Sequence, residues 1–157
     1  MNALREAAFE FVALRGVSGT AFDDDWPITP GAVRRAADGC ADLLHFAPGR
    51  WLVVSPDAEL RARLDAYVAA SAGVLVDVAG KWRTVAFSVA DGARTLAKGI
   101  AVDVVLQGRG CAALSLFDCP AVLARNNATF DLYVQSSYAM SAITRSLRTK
   151  SAPAPPP

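Results

Sequence analysis

The sequence predicts an α+β fold, with antiparallel or mixed sheets and packed helices, and three observations carry that prediction. Strand-type runs come in groups joined by short turns, helical stretches fall between the groups, and no internal repeat marks a βαβ array or a solenoid. With 157 residues, the chain reads as a single domain over 1–149, large enough for a core without metals or disulfides. A Pro-rich tail at 150–157 is expected to be disordered and lies outside the fold.

Residues 9–15 are aromatic and branched, which reads as a first strand closed by Gly16. Residues 17–30 read as loop, through Asp23-Asp24-Asp25 and Trp26-Pro27 to Pro30-Gly31. Three consecutive carboxylates in extended chain diverge, so the acidic run is expected to be solvated rather than to hold a cation. A short helix is expected over 30–37. The stretch "FAPGRWLVVSP" (46–56) sets the turn dipeptide Pro48-Gly49 between strands at 42–46 and 51–54, with Trp51 in the core.

Ser55-Pro56-Asp57 then starts a helix with a cap residue, a proline in the first turn and a carboxylate at the positive end. Leu60, Leu64, Tyr67 and Val68 recur at helical spacing as its buried stripe, and Gly73 ends it. Residues 74–78 and 82–89 are strands, and Asp91 is expected to cap a helix over 92–98 that stops at Lys98-Gly99. Three short strands follow at 111–117, 121–125 and 129–134, separated by "DCP" and "NNA". Ser136 or Ser137 opens a last helix with Met140, Ile143 and Leu147 on one face.

A formal net charge of +1 gives no electrostatic footprint for nucleic acid or an anionic membrane. Only 20% of residues are charged while 53% are hydrophobic, which leaves apolar surface for a permanent partner once the core is filled. Cys40, Cys111 and Cys119 are odd in number and lie in apolar stretches, as reduced thiols of a cytoplasmic protein would. No apolar run is long enough to span a bilayer, and "MNALREAAFEF" lacks the apolar segment of a secretory signal.

The chemistry of a self-sufficient enzyme is missing from the motifs. "GRG" at 108–110 lacks the spacing and the following helix of a phosphate cradle. His45 is alone, and no motif ties a nucleophile to it, so it reads as a structural or edge residue. Cys40, His45, Cys111 and Cys119 have the donor types of a zinc site but not the close Cys pair that nucleates one. Cys111 has no visible base, and its apolar neighbours raise a thiol pKa. Phe22, Trp26, Trp51 and Trp82 read as core and interface fillers, since no basic stripe accompanies them. Trp26 and Trp82 are the expected partner anchors. No catalytic, cofactor-binding or metal-binding residue is assigned.

One succession of segments is more specific. "APGRWLVV", "LVDVAGKWRTVAFSVADGARTLAKGIAVDV" and "GRGCAALSLFDCPAVLARNNATFDLYVQSSYAMSAITRSL" together resemble the gamma subunit of heterotetrameric sarcosine oxidase. That family is similar in turn to the folate-binding domain of the glycine-cleavage aminomethyltransferases. The likeness runs from about Phe46 to Leu147, with a weaker echo in "VALRG" near the start.

The resemblance implies an aminomethyltransferase-type fold and a non-catalytic subunit partnered by alpha, beta and delta chains. The larger chains would hold FAD, FMN, NAD and tetrahydrofolate, and the small delta chain zinc. The implied activity of the complex is oxidative demethylation of sarcosine, or a related N-methyl amino acid, to glycine with formaldehyde or methylene-tetrahydrofolate. In such a complex, electrons would pass through flavin to oxygen.

A stand-alone folate-binding aminomethyltransferase-like protein is the alternative. Against it, the aminomethyltransferases carry a Gly-Gly turn leading to a catalytic aspartate where this chain reads Asp118-Cys119-Pro120. Many gamma subunits have Gln where this chain has Ala113. A folate enzyme needs one carboxylate for the pterin and a second for catalysis. Asp77, Asp103, Asp118 and Asp131 form no recognisable pair in the sequence, and Asp77 and Asp131 read as structural.

Overall fold

A computed structural model of the chain describes residues 5–14, 22–96 and 106–138. The elements run β1 (Ala7–Ala13), β2 (Val33–Arg35), β3 (Ala41–Ala47), β4 (Arg50–Val54), α1 (Ala58–Ala69), β5 (Gly73–Asp77) and β6 (Trp82–Ser88). After them come α2 (Val89–Leu96), β7 (Cys111–Leu116), β8 (Cys119–Arg125) and β9 (Thr129–Gln135). Two antiparallel sheets result, one in the order β2-β3-β4-β1-β5 and one in the order β6-β9-β8-β7. The α+β expectation holds.

The layering follows from which strands are apolar at every position. Along β4, Trp51 and Val53 enter a core shared with α1, while Leu52 and Val54 enter a core shared with the second sheet. In β8, Val122 and Ala124 face the first sheet, and Ala121 and Leu123 face a third core with Leu96 of α2 and Leu106. A strand buried on both faces reads as a continuous apolar run rather than an alternating one. The order of layers is therefore α1, first sheet, second sheet, α2.

Turn chemistry sets the registers. Pro48-Gly49 joins β3 to β4, with Gly49 at φ +68° behind a proline that fixes its own φ. Phe117 and Asp118 join β7 to β8, both at positive φ (+49° and +65°), a two-residue hairpin link matched to strand twist. The turn is thus at 117–118, and Cys119-Pro120 of "DCP" already belong to β8.

Several sequence expectations need correction. The helix over 30–37 is absent: Gly31 sits at φ +92°, and β2 follows, paired with β3. A left-handed residue stops a helix, and the N–H of Gly31 is taken by the His45 carbonyl at 2.7 Å. Asp57, not Ser55, caps α1, accepting the Leu60 N–H at 2.7 Å, while Ser55 adopts φ +43°. Leu60 and Leu64 are buried as expected, each contributing roughly 1.5–3 kcal/mol. Val68 is 38% exposed and leaves the stripe.

Gly73 does not end α1 but opens β5. Ser88 rather than Asp91 caps α2: the Ser88 hydroxyl accepts the Asp91 N–H at 3.1 Å and donates to the Asp91 carboxylate at 2.8 Å. Residues 136–138 are helical, and the Ser136 N–H donates to the Lys81 carbonyl at 2.8 Å. Gly16, Lys98, Gly99, Met140, Ile143, Leu147 and the tail lie outside the described residues.

Gly73 has a different duty. A Cβ there would fall inside the Phe11 ring's contact distance and 2.7 Å from the Val12 carbonyl. Gly80, at φ +80°, has open space around it. Gly73→Ala is expected to cost about 1–3 kcal/mol by overpacking, and Gly80→Ala about 1 kcal/mol by backbone strain alone. Urea unfolding of both variants checks the order; a neutral Gly73→Ala would refute the close approach.

Candidate functional site

Of the aromatic residues singled out in sequence, Phe22, Trp26 and Trp51 land in the layer between the first sheet and α1. Trp26 stacks on Phe22 with ring centroids 5.1 Å apart and meets Tyr67 edge-on at 5.0 Å. Phe11 and Trp51 complete the cluster at 5.6 and 5.8 Å from Trp26. Offset and edge-to-face contacts of this kind add to plain area burial. The Trp51 indole N–H donates to the Pro27 carbonyl at 2.8 Å, which fastens the 22–31 loop over the cluster.

Both expected partner anchors are covered by this chain itself. Trp26 is 3% exposed inside the aromatic cluster, and Trp82 is 8% exposed in the core between the sheets. The sequence gives aromatic positions but not what covers them.

The acidic run is exposed yet engaged. Arg63 donates to Asp23 at 3.1 Å and to Asp25 at 2.9 and 2.5 Å, and the Tyr67 hydroxyl donates to Asp23 at 2.7 Å. Hydrogen bonding to Arg63 holds the Asp25 carboxyl below its usual range. The aspartates therefore clip the loop to α1. Among the described residues no group of three or more His, Cys, Asp or Glu side chains is arranged to hold a metal.

His45 lies within β3 as expected, and of the two expected roles, structural or edge, it has the structural one, since it is buried. Its ring stacks on Trp51 at 4.4 Å, and neither ring nitrogen has a hydrogen bond of good geometry. Burial pushes its pKa down, outweighing the backbone of Thr29, Pro27 and Ala47, which favours the charged form. Cys111 and Cys119 are buried and Cys40 is half-buried, all three as free thiols. Desolvation pushes the Cys111 thiol up to about 12, so it stays protonated and inert near neutral pH.

The carboxylates are dispersed. The Asp77 carboxylate accepts the Ala79 N–H at 2.8 Å in the β5–β6 turn. Asp118 is exposed at the tip of the β7–β8 hairpin. Asp131 is buried on β9, accepting from Asn126 at 2.6 Å and Thr129 at 3.0 Å. Desolvation raises its pKa. These three serve turns and strand ends on different elements, and Asp103 lies outside the described residues.

Sequence reasoning missed two features. Asp42 is fully buried and paired to Arg34 at 2.8 Å, and burial raises its pKa. The other is a surface. Val74 and Val76 of β5 are 40% and 47% exposed, and their register partners on β1 are Val12 and Glu10, on the same face. Glu10 is itself buried under Arg50, at 2.7 Å, and Lys81, at 3.4 Å. β5 is an outer strand of its sheet, and "GVLVD" carries none of the lysines or prolines that usually blunt such an edge. An apolar strip beside a charged triad is the candidate partner surface. Its signal was the run Val74-Leu75-Val76, which reads as a strand without revealing that the strand is outermost.

No family model and no curated protein matches the sequence. Among solved structures, the chain is similar to a chain of "Heterotetrameric Sarcosine Oxidase from Corynebacterium sp. U-96 in complex with pyrrole 2-carboxylate". The TM-score is 0.70 at 18% sequence identity, over 97% of this chain and 86% of that one. The likeness is one of fold.

The geometry at His45 makes a pH prediction. A histidine held neutral in the fold gains its proton only on unfolding as the pH falls below 6.5. Its stabilising contribution is therefore full above that pH and is lost on acidification, at no more than about 1.4 kcal/mol per pH unit for one proton. His45→Phe keeps the stack on Trp51 and is expected to flatten this part of the stability–pH curve between pH 6.5 and 5. Urea unfolding across that range checks it; an unchanged slope would show that His45 is not its source.

Proposed function

We propose that this chain is the non-catalytic, gamma-type subunit of a heterotetrameric flavin-dependent oxidase acting on sarcosine or a related N-methyl amino acid. The observation that carries the reading is the fold likeness, over nearly the full length of both chains, to a chain of such a complex. The motif succession from "APGRWLVV" to the strand–helix junction at 129–138 points the same way. In this reading the alpha, beta and delta chains are the partners. They hold FAD, FMN, NAD, tetrahydrofolate and zinc, and they produce glycine with formaldehyde or methylene-tetrahydrofolate.

The chemistry of the described residues suits a supporting role. The thiol of Cys111 is desolvated, His45 is sealed under an aromatic cluster, and Asp118 stands at a hairpin tip away from the other aspartates. The β1–β5 face, with Val74 and Val76 beside Glu10, Arg50 and Lys81, is the part of this chain that a larger partner would cover. Permanent complexes bury mostly apolar area, upwards of roughly 2,000 Å².

The test is co-expression with candidate alpha, beta and delta chains, followed by size-exclusion chromatography and a turnover assay on sarcosine. This chain is expected to co-elute with the flavin absorbance. A Val74→Glu/Val76→Glu double variant is expected to bind at least tenfold more weakly, about 1.4 kcal/mol, with the thermal midpoint of the chain alone unchanged. A stable monomer that never joins flavoprotein partners would end the reading.

A further inference from the structure

Four described arginines, Arg35, Arg83, Arg109 and Arg125, have no carboxylate within ion-pair distance among the described residues, while the other described arginines and Lys81 are paired. Three of these four, Arg35, Arg109 and Arg125, line one cavity of about 370 Å³, and among the described residues its lining contains no Asp or Glu. Like charges gathered without counter-ions repel, and a charged concavity focuses its field on whatever enters.

The cationic groups are set by structure rather than scattered on a flexible surface. Arg35 donates to the Gly39 carbonyl at 3.1 Å and to the Arg125 carbonyl at 3.0 Å, which holds its guanidinium at the rim. The stem of Arg109 lies against Gly31, where an added Cβ would stand 2.7 Å from its Cδ. Gly110 packs as closely on Val33, where an added Cβ would meet a methyl carbon at 2.5 Å. The Arg125 N–H donates to the Gly110 carbonyl at 2.9 Å, tying the two arginine-bearing segments together. Val33 and the buried Leu106 give the cavity an apolar wall, and Gln107 adds a neutral polar side chain.

We infer that this cavity binds a small organic oxyanion, carrying phosphate or several carboxylates, with its oxygens on Arg109 and Arg125 and its apolar body against Val33 and Leu106. Guanidinium forks match both phosphate and carboxylate oxygens. The volume falls at the small end of the range for ligand pockets, roughly 300–1,000 Å³. The chain's near-neutral net charge and the small volume of this cavity fit a compact anion rather than a polymer. The site is independent of the subunit reading, since all its residues belong to this chain.

Pyrophosphate and citrate are the two probes, titrated into the full chain by calorimetry at low ionic strength. Arg125→Gln, Arg109→Gln and their double variant are compared with Arg83→Gln, an exposed unpaired arginine outside the cavity. Arg125 is exposed and its side chain makes no hydrogen bond among the described residues, so Arg125→Gln is expected to leave the fold intact. Saturable binding of either probe is expected, weakened roughly tenfold by each cavity variant and unchanged by Arg83→Gln. Pyrophosphate alone would assign a phosphate ligand, citrate alone a polycarboxylate, and both the shared chemistry. No saturable binding, equal binding by the double variant, or equal weakening by Arg83→Gln would overturn the inference.

Discussion

The two sheets are held in register through Gly31. Its N–H donates to His45 of β3, and its carbonyl accepts from both Gly110, at 2.9 Å, and Cys111, at 3.1 Å, at the entry to β7. Only a residue free to adopt φ +92° without a side chain can do this, because the Arg109 stem fills the space a Cβ would take. An apolar layer between sheets is non-directional and would permit sliding; these backbone bonds do not. Two further ties act nearby: the Arg35 guanidinium on the Arg125 carbonyl, and the Ala41 N–H on Asn126 Oδ1 at 2.9 Å. Asn126 in turn donates to the buried Asp131, so that carboxylate serves the junction rather than a reaction.

From Gly31 the dependence runs outward in both directions. Upstream, the loop that delivers it is pinned by the Trp51 indole on Pro27 and clipped to α1 by Arg63 on Asp23 and Asp25. Exposed ion pairs are individually weak, but here they only have to keep a loop seated whose aromatic rings are already packed. Downstream, the same bonds place residues 109–111 and with them one wall of the arginine-lined cavity. The packing of a neutral histidine under that loop is thus coupled to the geometry of the sheet junction.

The sequence was legible where local and tertiary demands agree. Trp51 to Val54 and Ala121 to Ala124 are apolar throughout, because both strands are buried on both faces, and Pro48-Gly49 names its own turn. It misled where a backbone bond from far along the chain decides. Pro30 to Ala37 has the composition for a helix, but Gly31 bonds to residues 45, 110 and 111, none of them local. Gly73 looks like a stop signal and is instead the gap that admits the Phe11 ring. Trp26 and Trp82 announced large apolar area without saying whether this chain or a partner covers it. Arg35, Arg109 and Arg125 converge only once β2, β7 and β8 are assembled, so no window of sequence contains that cavity. The resemblance carried by the turn and junction motifs supplied the fold type, which periodicity alone left as an α+β mixture.

In the subunit reading, the face formed by β1 and β5 is the part of the fold that a partner would complete. Glu10 is already shielded by Arg50 and Lys81, whose own side chains remain 47% and 45% exposed. In water this triad is worth little, because solvent screens the outer charges. Beneath a partner it would be desolvated, and two cations around one carboxylate would leave a positive excess that a complementary carboxylate must meet. The neighbouring valines would contribute the favourable area, while the triad would decide which partner fits and in what orientation. Exposed Val74 and Val76 on an unblunted edge are a hazard for a chain that stays alone. In the subunit reading that hazard is the interface, and the charged triad beside it is what restricts the edge to one partner.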